Sequence, residues 1–258
     1  MNAAPALSAV VTGASAGLGL ALARRLLDDG RTVLGVDRDG ASLAEGVHPS
    51  GSYRHLRCDL ADPVAVDGLA ARLAGSDPGP DGLELVAMCA GISATGRFEA
   101  IPPDAHARVL AVNAEAPLVL ADALMGRGWR KGTLVLVASL SVDVGYPGAA
   151  SYAASKDALV AYGRSIAKVR TAPAVLTVLP GPIRTEHAAR HAPEGSSDAG
   201  RMDPDDLARR ILDAVATGRG TLRPGAARWA GLAGRLAPGL AVRLMRRGLF
   251  ERLDREVW

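Results

Sequence analysis

Cysteine, phenylalanine and lysine are nearly missing from this chain. Two cysteines, Cys58 and Cys89, stand in 258 residues. They form no Cys-x-x-Cys and no Cys/His metal spacing, which excludes a disulfide-stapled mini-domain and the common zinc modules. Aromatics make up 3% of the chain, too few for a surface that stacks nucleic-acid bases. Trp129, Arg130 and Lys131 read as a polar turn before a strand, so no nucleic-acid partner is expected. Lysine occurs only at Lys131, Lys156 and Lys168, so nearly all positive charge is arginine. No apolar run approaches the roughly 18 residues of a spanning helix. Met1–Leu7 lacks the basic start and long apolar stretch of a secretory leader. The expected location is the cytoplasm.

What is present is small and apolar. Hydrophobic residues are 48% and glycines number 30, the composition of an α/β domain packed with Ala, Leu and Val. A core of this size buries roughly three-quarters of the unfolded surface without a metal or disulfide. The formal net charge is +3, and it is unevenly spread. Thr221–Trp258 carries eight arginines against Glu251, Asp254 and Glu256, a net +5, which leaves −2 for the preceding 220 residues.

Apolar runs at Ser8–Thr12, Thr32–Val36, Tyr53–Cys58, Leu83–Cys89, Thr133–Ala138 and Val175–Leu179 read as strands. Leu18–Asp28, Ala65–Leu73, Asp104–Met125 and Ser151–Val169 read as helices between them. This alternation predicts a doubly wound parallel sheet covered on both faces. Glu186–Met202 has no clear period and reads as a mobile loop or lid. Asp203 then caps a helix with Pro204 at its first position, running to about Ala216. Gly220–Arg223 is the last short strand. The chain divides into one domain, 1–223, with an extension, 224–258.

The first strand runs into Thr12-Gly13-Ala14-Ser15-Ala16-Gly17-Leu18-Gly19. Glycines at a strand-to-helix turn let the backbone approach a pyrophosphate, and the helix N-terminus offers free N–H groups. The spacing is Gly-x3-Gly-x-Gly, so a tight structural turn is the competing reading. Asp37 closes the second strand, where a carboxylate can accept from ribose hydroxyls and repel a 2′-phosphate. That favours NAD over NADP. Arg38 would bind that phosphate instead if Asp37 turned away.

Tyr152 and Lys156 share one helical face at i and i+4. A nearby ammonium lowers a phenol's pKa from about 10, and such a tyrosine can exchange a proton with a carbinol oxygen. Ser139 closes the preceding strand, and Asn113 lies in the long helix before it. Pro180-Gly181-Pro182-Ile183-Arg184-Thr185 follows the next strand. With Thr12–Gly19, these motifs resemble the short-chain dehydrogenase/reductase family in its compact single-domain branch, over about residues 8–223.

The resemblance implies a Rossmann fold and an NAD(P)-dependent oxidoreductase that interconverts a secondary alcohol and a ketone. Tyr152 would be the general acid/base, and Lys156 would lower its pKa and hold the nicotinamide ribose. Ser139 would bind the substrate oxygen, and Asn113 would anchor a water leading to solvent. Gly13, Ser15, Ala16, Gly17, Leu18 and Gly19 would cradle the cofactor, with Asp37 and Arg38 at its ribose. Asp59 and Leu60 would meet the adenine. Ala90 and Gly91 would line a ribose, while Pro180, Gly181, Ile183 and Thr185 would hold the nicotinamide end. No metal enters this chemistry. A nucleotide-sensing or scaffolding protein, or a dehydratase or epimerase of the same family, stays open as an alternative.

Two departures stand out. Where the family has Asn-Asn-Ala-Gly, this chain has Met88-Cys89-Ala90-Gly91, which implies altered packing. Ser139-Leu140-Ser141 leaves Ser141 as the runner-up for the catalytic serine. The family's strand order, 3-2-1-4, puts Cys58 and Cys89 three strand spacings apart, about 14 Å, so both should be free thiols. His187 and His191 read as a loop face. Substrate choice is expected from Ser93–Phe98, Ser141–Ala150 and Glu186–Met202; Val144, Tyr146 and Pro147 suggest a partly hydrophobic substrate. The resemblance also implies a homo-oligomer, dimer or tetramer, through the helices of Asn113 and Tyr152. In the extension, Trp229, Leu232, Ala233 and Leu236 and then Leu240, Leu244, Phe250 and Leu253 give two short amphipathic helices. They pack over the cleft or across a subunit interface, or dock on an anionic membrane as a peripheral contact, the less favoured reading.

Overall fold

The computed structural model describes residues 7–75, 82–169, 172–225, 227–248, 250–253 and 256–258. The expectation about a leader within residues 1–6, and the charges of Asp254 and Arg255, lie outside the described residues. Strands β1 (Ala9–Thr12), β2 (Thr32–Asp37), β3 (Gly46–Val47), β4 (Ser52–Arg57), β5 (Leu85–Met88), β6 (Thr133–Val137), β7 (Ala174–Val178) and β8 (Thr221–Leu222) form one sheet. Its order is β3-β4-β2-β1-β5-β6-β7-β8. All pairings are parallel except the antiparallel edge pair β3–β4. The Val- and Leu-rich centre is buried on both faces, as a parallel sheet requires. The short β3 was not foreseen; a two-residue edge strand carries too little pattern to read.

Helices α1 (Gly17–Asp28) and α8 (Pro204–Ala216) cover one face. On the other lie α2 (Pro63–Ala74), α4 (Ala116–Gly126) and α6 (Ala150–Ile166). The side chains of Asp62 and Asp203 accept hydrogen bonds from Val64 N and Asp205 N, so α2 and α8 start on capped acids followed by proline. The long helix expected at 104–125 is α3 (Pro103–Leu110), a π turn at Ala111–Glu115, and α4. This helix spans 24 residues and reaches a mean hydropathy of 1.5, so one stretch does match a membrane span in length and composition. It corrects the expectation that none would. Leu120, Ala121 and Leu124 pack into the core on the sheet.

Trp129 corrects the polar-turn reading. It is 0% exposed, among the largest fully buried side chains. Its indole N–H donates to the Leu83 carbonyl at 2.9 Å, which satisfies the one polar group it brings inside. Cys58 and Cys89 are free thiols on strands separated by β2 and β1.

The remaining helices gather at the carboxyl ends of the strands. They are α5 (Ser141–Val144), α7 (Glu186–Arg190), α9 (Ala227–Leu236) and α10 (Pro238–Gly248). The Glu186–Met202 segment thus carries a helix, capped by Thr185, whose hydroxyl accepts from Ala188 N at 3.1 Å. Pro238-Gly239 opens α10 rather than merely breaking the extension, because proline suits the first helical turn.

Candidate active site

The β1–α1 turn is built for close approach. Gly13 N donates to the Val36 carbonyl at 2.8 Å. At φ +69°, a Cβ on Gly13 would stand 2.9 Å from the backbone of Ala90, and one on Gly19 would stand 2.1 Å from the Gly13 carbonyl oxygen. Glycine is therefore required at both positions, and it brings the turn against the end of β5. Unlike α2, α7 and α8, α1 has no side-chain cap, and its first turn carries no acid. Its first N–H groups are left for an anion.

Asp37 closes β2 and faces this turn. Its Oδ2 accepts from Ser15 N at 3.0 Å and its Oδ1 from Asp39 N at 3.2 Å. The carboxylate is thus fixed beside the loop with lone pairs to spare. Ser15 Oγ donates to the Gly40 carbonyl at 2.8 Å, so the hydroxyl of Ser15 serves the loop and only its backbone can serve a ligand. Arg38 is exposed, its Nε 3.8 Å from a carboxylate oxygen of Asp39. Asp59 accepts from Ala61 N at 3.0 Å and from Arg108 at 2.7 Å, bonds that hold its carboxyl below the usual range. Leu60 packs its side chain into the core, which leaves only its backbone for an adenine edge. The cradle fits a dinucleotide: an uncapped helix N-terminus, glycines where a side chain would collide, and a carboxylate at the ribose end.

Ala90 N donates to Thr12 Oγ1 at 3.1 Å, and this buried threonine ties the end of β1 to that of β5. A Cβ on Gly91 would lie 3.3 Å from Lys156 Nζ and 3.5 Å from Asn113 Oδ1, so this turn touches both. Asn113 sits in the π turn and is fully buried. Its Oδ1 accepts from Ile92 N at 2.8 Å, and its Nδ2 donates to Ile92 O at 2.8 Å and to Ser155 Oγ at 3.0 Å. Both amide hydrogens are spent on protein. The side chain therefore clamps the β5 turn onto α6 and is not free to donate to a water.

Lys156 and Tyr152 project from α6 as their spacing predicts. Lys156 is 4% exposed, its Nζ donates to the Val137 carbonyl at 2.9 Å, and it stands 5.7 Å from the Tyr152 ring centroid. Burial pushes the ammonium down to about 8, with Cys89 opposing weakly. Burial likewise pushes the Cys89 thiol up to about 12. Tyr152 differs from expectation: burial raises its phenol, and the hydrogen bond from Ser139 pulls it back. Desolvation outweighs any help from Lys156, whose proton is directed to a backbone carbonyl. Ser139 Oγ accepts from Ser141 N at 3.1 Å. Ser141 Oγ is buried without a hydrogen-bond partner, so Ser139, not Ser141, meets the tyrosine.

Around the tyrosine lie the segments from which substrate choice is expected. Tyr146 meets Tyr152 edge to face, ring centroids 6.0 Å apart. Arg184 N donates to the Met202 carbonyl at 2.8 Å, and Met202 N donates to the Pro182 carbonyl at 2.9 Å; both bonds tie the end of the Glu186–Met202 segment back to the Pro182–Arg184 turn. His187 is exposed on α7, its ring 4.6 Å from that of His191. His191 is buried, its Nδ1 2.9 Å from Thr95 Oγ1. His191 is thus a strut rather than part of a loop face, while His187 stays on the surface. No third ligand joins them among the described residues.

The extension meets these segments. Val257 pairs with Thr95 through two backbone bonds, 2.8 and 2.9 Å. A Cβ on Gly148 would fall 2.7 Å from Leu253, so the extension lies directly on the Tyr146–Ala150 loop. Arg223 forms an ion pair with Asp143, whose side chain is 4% exposed. Where residues 227–258 are described, they lie against α5 and against the Thr95 and Gly148 segments.

The short chain dehydrogenase family model matches residues 8–195. A 1-deoxy-11-beta-hydroxypentalenate dehydrogenase of Streptomyces exfoliatus is 31% identical over 227 residues, covering 82% of this chain and 80% of that protein. A short-chain dehydrogenase from Sphingobium yanoikuyae, solved in complex with NADPH, superposes with a TM-score of 0.73 at 23% identity, over 91% of this chain and 94% of that one. A 4-hydroxyisoleucine dehydrogenase complexed with NADH gives 0.71 at 22% identity, over 84% and 95%.

Proposed function

Because this chain belongs to the short-chain dehydrogenase family, we propose that it is a nicotinamide-dependent oxidoreductase that interconverts a secondary alcohol and a ketone. The observation that carries this reading is the convergence of Ser139, Tyr152 and Lys156 beside the glycine turn. A bound nicotinamide would supply or accept the hydride. The α1 N-terminus and residues 13–19 hold the pyrophosphate, and Asp37 the adenosine ribose. Asp59 and the Leu60 backbone meet the adenine, and Ala90, Gly91, Pro180, Gly181, Ile183 and Thr185 line the nicotinamide half.

Tyr152 exchanges the proton at its phenolic oxygen with the substrate oxygen. Ser139 donates to the same oxygen and stabilises charge on it. Lys156, fixed by the Val137 carbonyl, binds the nicotinamide ribose and keeps a positive charge near the tyrosine. Tyr152→Phe is expected to lower turnover by about a thousandfold, in line with general acid/base contributions of roughly 10²–10⁴, while a fluorescence titration with reduced cofactor shows unchanged affinity. Retained turnover would overturn the reading.

For the cofactor, the fixed Asp37 carboxylate supports NAD over NADP. Parallel titrations are expected to give tighter binding of NADH than NADPH, and Asp37→Asn to narrow that gap. A native preference for NADPH would mean that Arg38 governs the site. The cleft's Tyr146 and Tyr152 rings support a partly hydrophobic substrate. Free cysteines favour a reducing compartment such as the cytoplasm. Exposed Leu110 and Val119 on α3 and α4 support a homo-oligomer formed through those helices.

A further inference from the structure

Helix α9 packs inside out. Its inward face is small: a Cβ on Gly234 would fall 2.4 Å from the Asp143 carbonyl oxygen, and one on Gly231 would fall 2.8 Å from an Asp143 carboxylate oxygen. Its large apolar residues point away from the body. Trp229 is 62% exposed and Leu236 is 78% exposed, with exposed Leu232 between them on the same face. Helix α10 repeats the arrangement. Ala241 and Met245 are half-buried, whereas Leu240 is 54% exposed and Leu244 is 60% exposed. A helix that needed only to fold onto this domain would turn these faces the other way.

The charge beside this apolar face is of one sign. Arg228 stacks on Trp229, its guanidinium 4.7 Å from the ring centroid. Arg243 and Arg247 share the outward side of α10 with Leu240 and Leu244. Among the described residues, no carboxylate lies within ion-pair distance of Arg228, Arg243 or Arg247; Arg246 alone in this group is paired, with Glu251 at 3.1 Å. A second copy of the chain meeting this face across a two-fold axis would set the same arginines against one another. An anionic lipid surface offers the opposite: headgroups for the guanidinium groups and an interfacial apolar layer for the tryptophan and leucines.

We propose that α9 and α10 dock this protein on an anionic membrane surface, with Trp229, Leu232, Leu236, Leu240 and Leu244 entering the interface and Arg228, Arg243 and Arg247 on the headgroups. Because α9 rests on α5, the segment just beyond Ser139, docking brings the substrate side of the cleft to the lipid.

The test is co-sedimentation of the full chain with vesicles of phosphatidylcholine alone and of phosphatidylcholine mixed with phosphatidylglycerol. Binding is expected only to the mixed vesicles, and it should weaken as salt is raised. Two paired variants, Trp229→Ser with Leu236→Ser and Arg243→Glu with Arg247→Glu, should each cut the bound fraction about tenfold, since interfacial binding draws on both apolar area and charge. All these side chains are exposed, so melting temperature and elution volume should not change. Absence of binding to mixed vesicles overturns the proposal, and so does equal binding to neutral ones. If the serine pair instead shrinks the oligomer and vesicles are ignored, the face is a self-contact and the proposal falls.

Discussion

At the residue scale, Lys156 does two opposed things. In the proposed mechanism its charge serves the tyrosine, but its burial beside Gly91, Cys89 and the Val137 carbonyl penalises that charge. The folded-state value near 8 lies below the ordinary 10.5. Between these values the unfolded chain binds more protons than the folded one, so Lys156 contributes stability that rises with pH across that window. Tyr146, raised to about 12 from 10, has the opposite sign above pH 10, where the folded chain keeps a proton that the unfolded one releases. Without added nucleotide, urea midpoints at pH 7 and 9.5 should therefore show wild type gaining on Lys156→Met by about 1–2 kcal/mol, from roughly 1.4 kcal/mol per pH unit. No change in the difference would mean that the ammonium is well solvated. Tyr152, Lys156, Ser139 and Asn113 could be proposed from sequence because their spacing is chemical. Their partners were not: the Val137 carbonyl, Ile92 backbone and Ser155 hydroxyl are reached only through tertiary packing.

At the element scale, the alternation of apolar runs and helical periods foretold the sheet, and the parallel order followed from the motif order. Elements whose signal is not periodic went unread. The π turn around Asn113 looks like ordinary helix in sequence, because five residues are too few to reveal a change of period. Trp129 sits among Gly128, Arg130 and Lys131, so local polarity hid a residue that plugs the core from its turn. Trp129→Ala is expected to cost about 3–5 kcal/mol, the range for large aromatic deletions, because it opens a cavity and leaves the Leu83 carbonyl without its indole donor. Chemical denaturation measures it; a cost below about 1 kcal/mol would show the turn to be peripheral. The inverted face of α9 was readable as amphipathic, but sequence periodicity states only that one face is apolar, not which way it points.

At the scale of the whole molecule, the cofactor cradle and the substrate wall are drawn from different parts of the chain. The cradle is closed by β1, β2, β5 and the turn at Pro180–Thr185. The wall needs the extension, through Leu253 on Gly148 and through Val257 on Thr95. Removing residues 224–258 is therefore expected to lower turnover at least tenfold while cofactor affinity stays within about twofold, because uniform cofactor binding and substrate positioning are separable. Equal loss of both would mean that the extension supports the fold at large. The Thr95–Val257 contact also sets a sequence in time. It waits on residue 257, whereas the cradle is complete once the Pro180–Thr185 turn has met Gly17. A chain emerging from the ribosome has its nucleotide cradle assembled well before Val257 can reach Thr95. There is thus an interval in which the young protein has its proposed nucleotide cradle but lacks the wall that would shield a substrate.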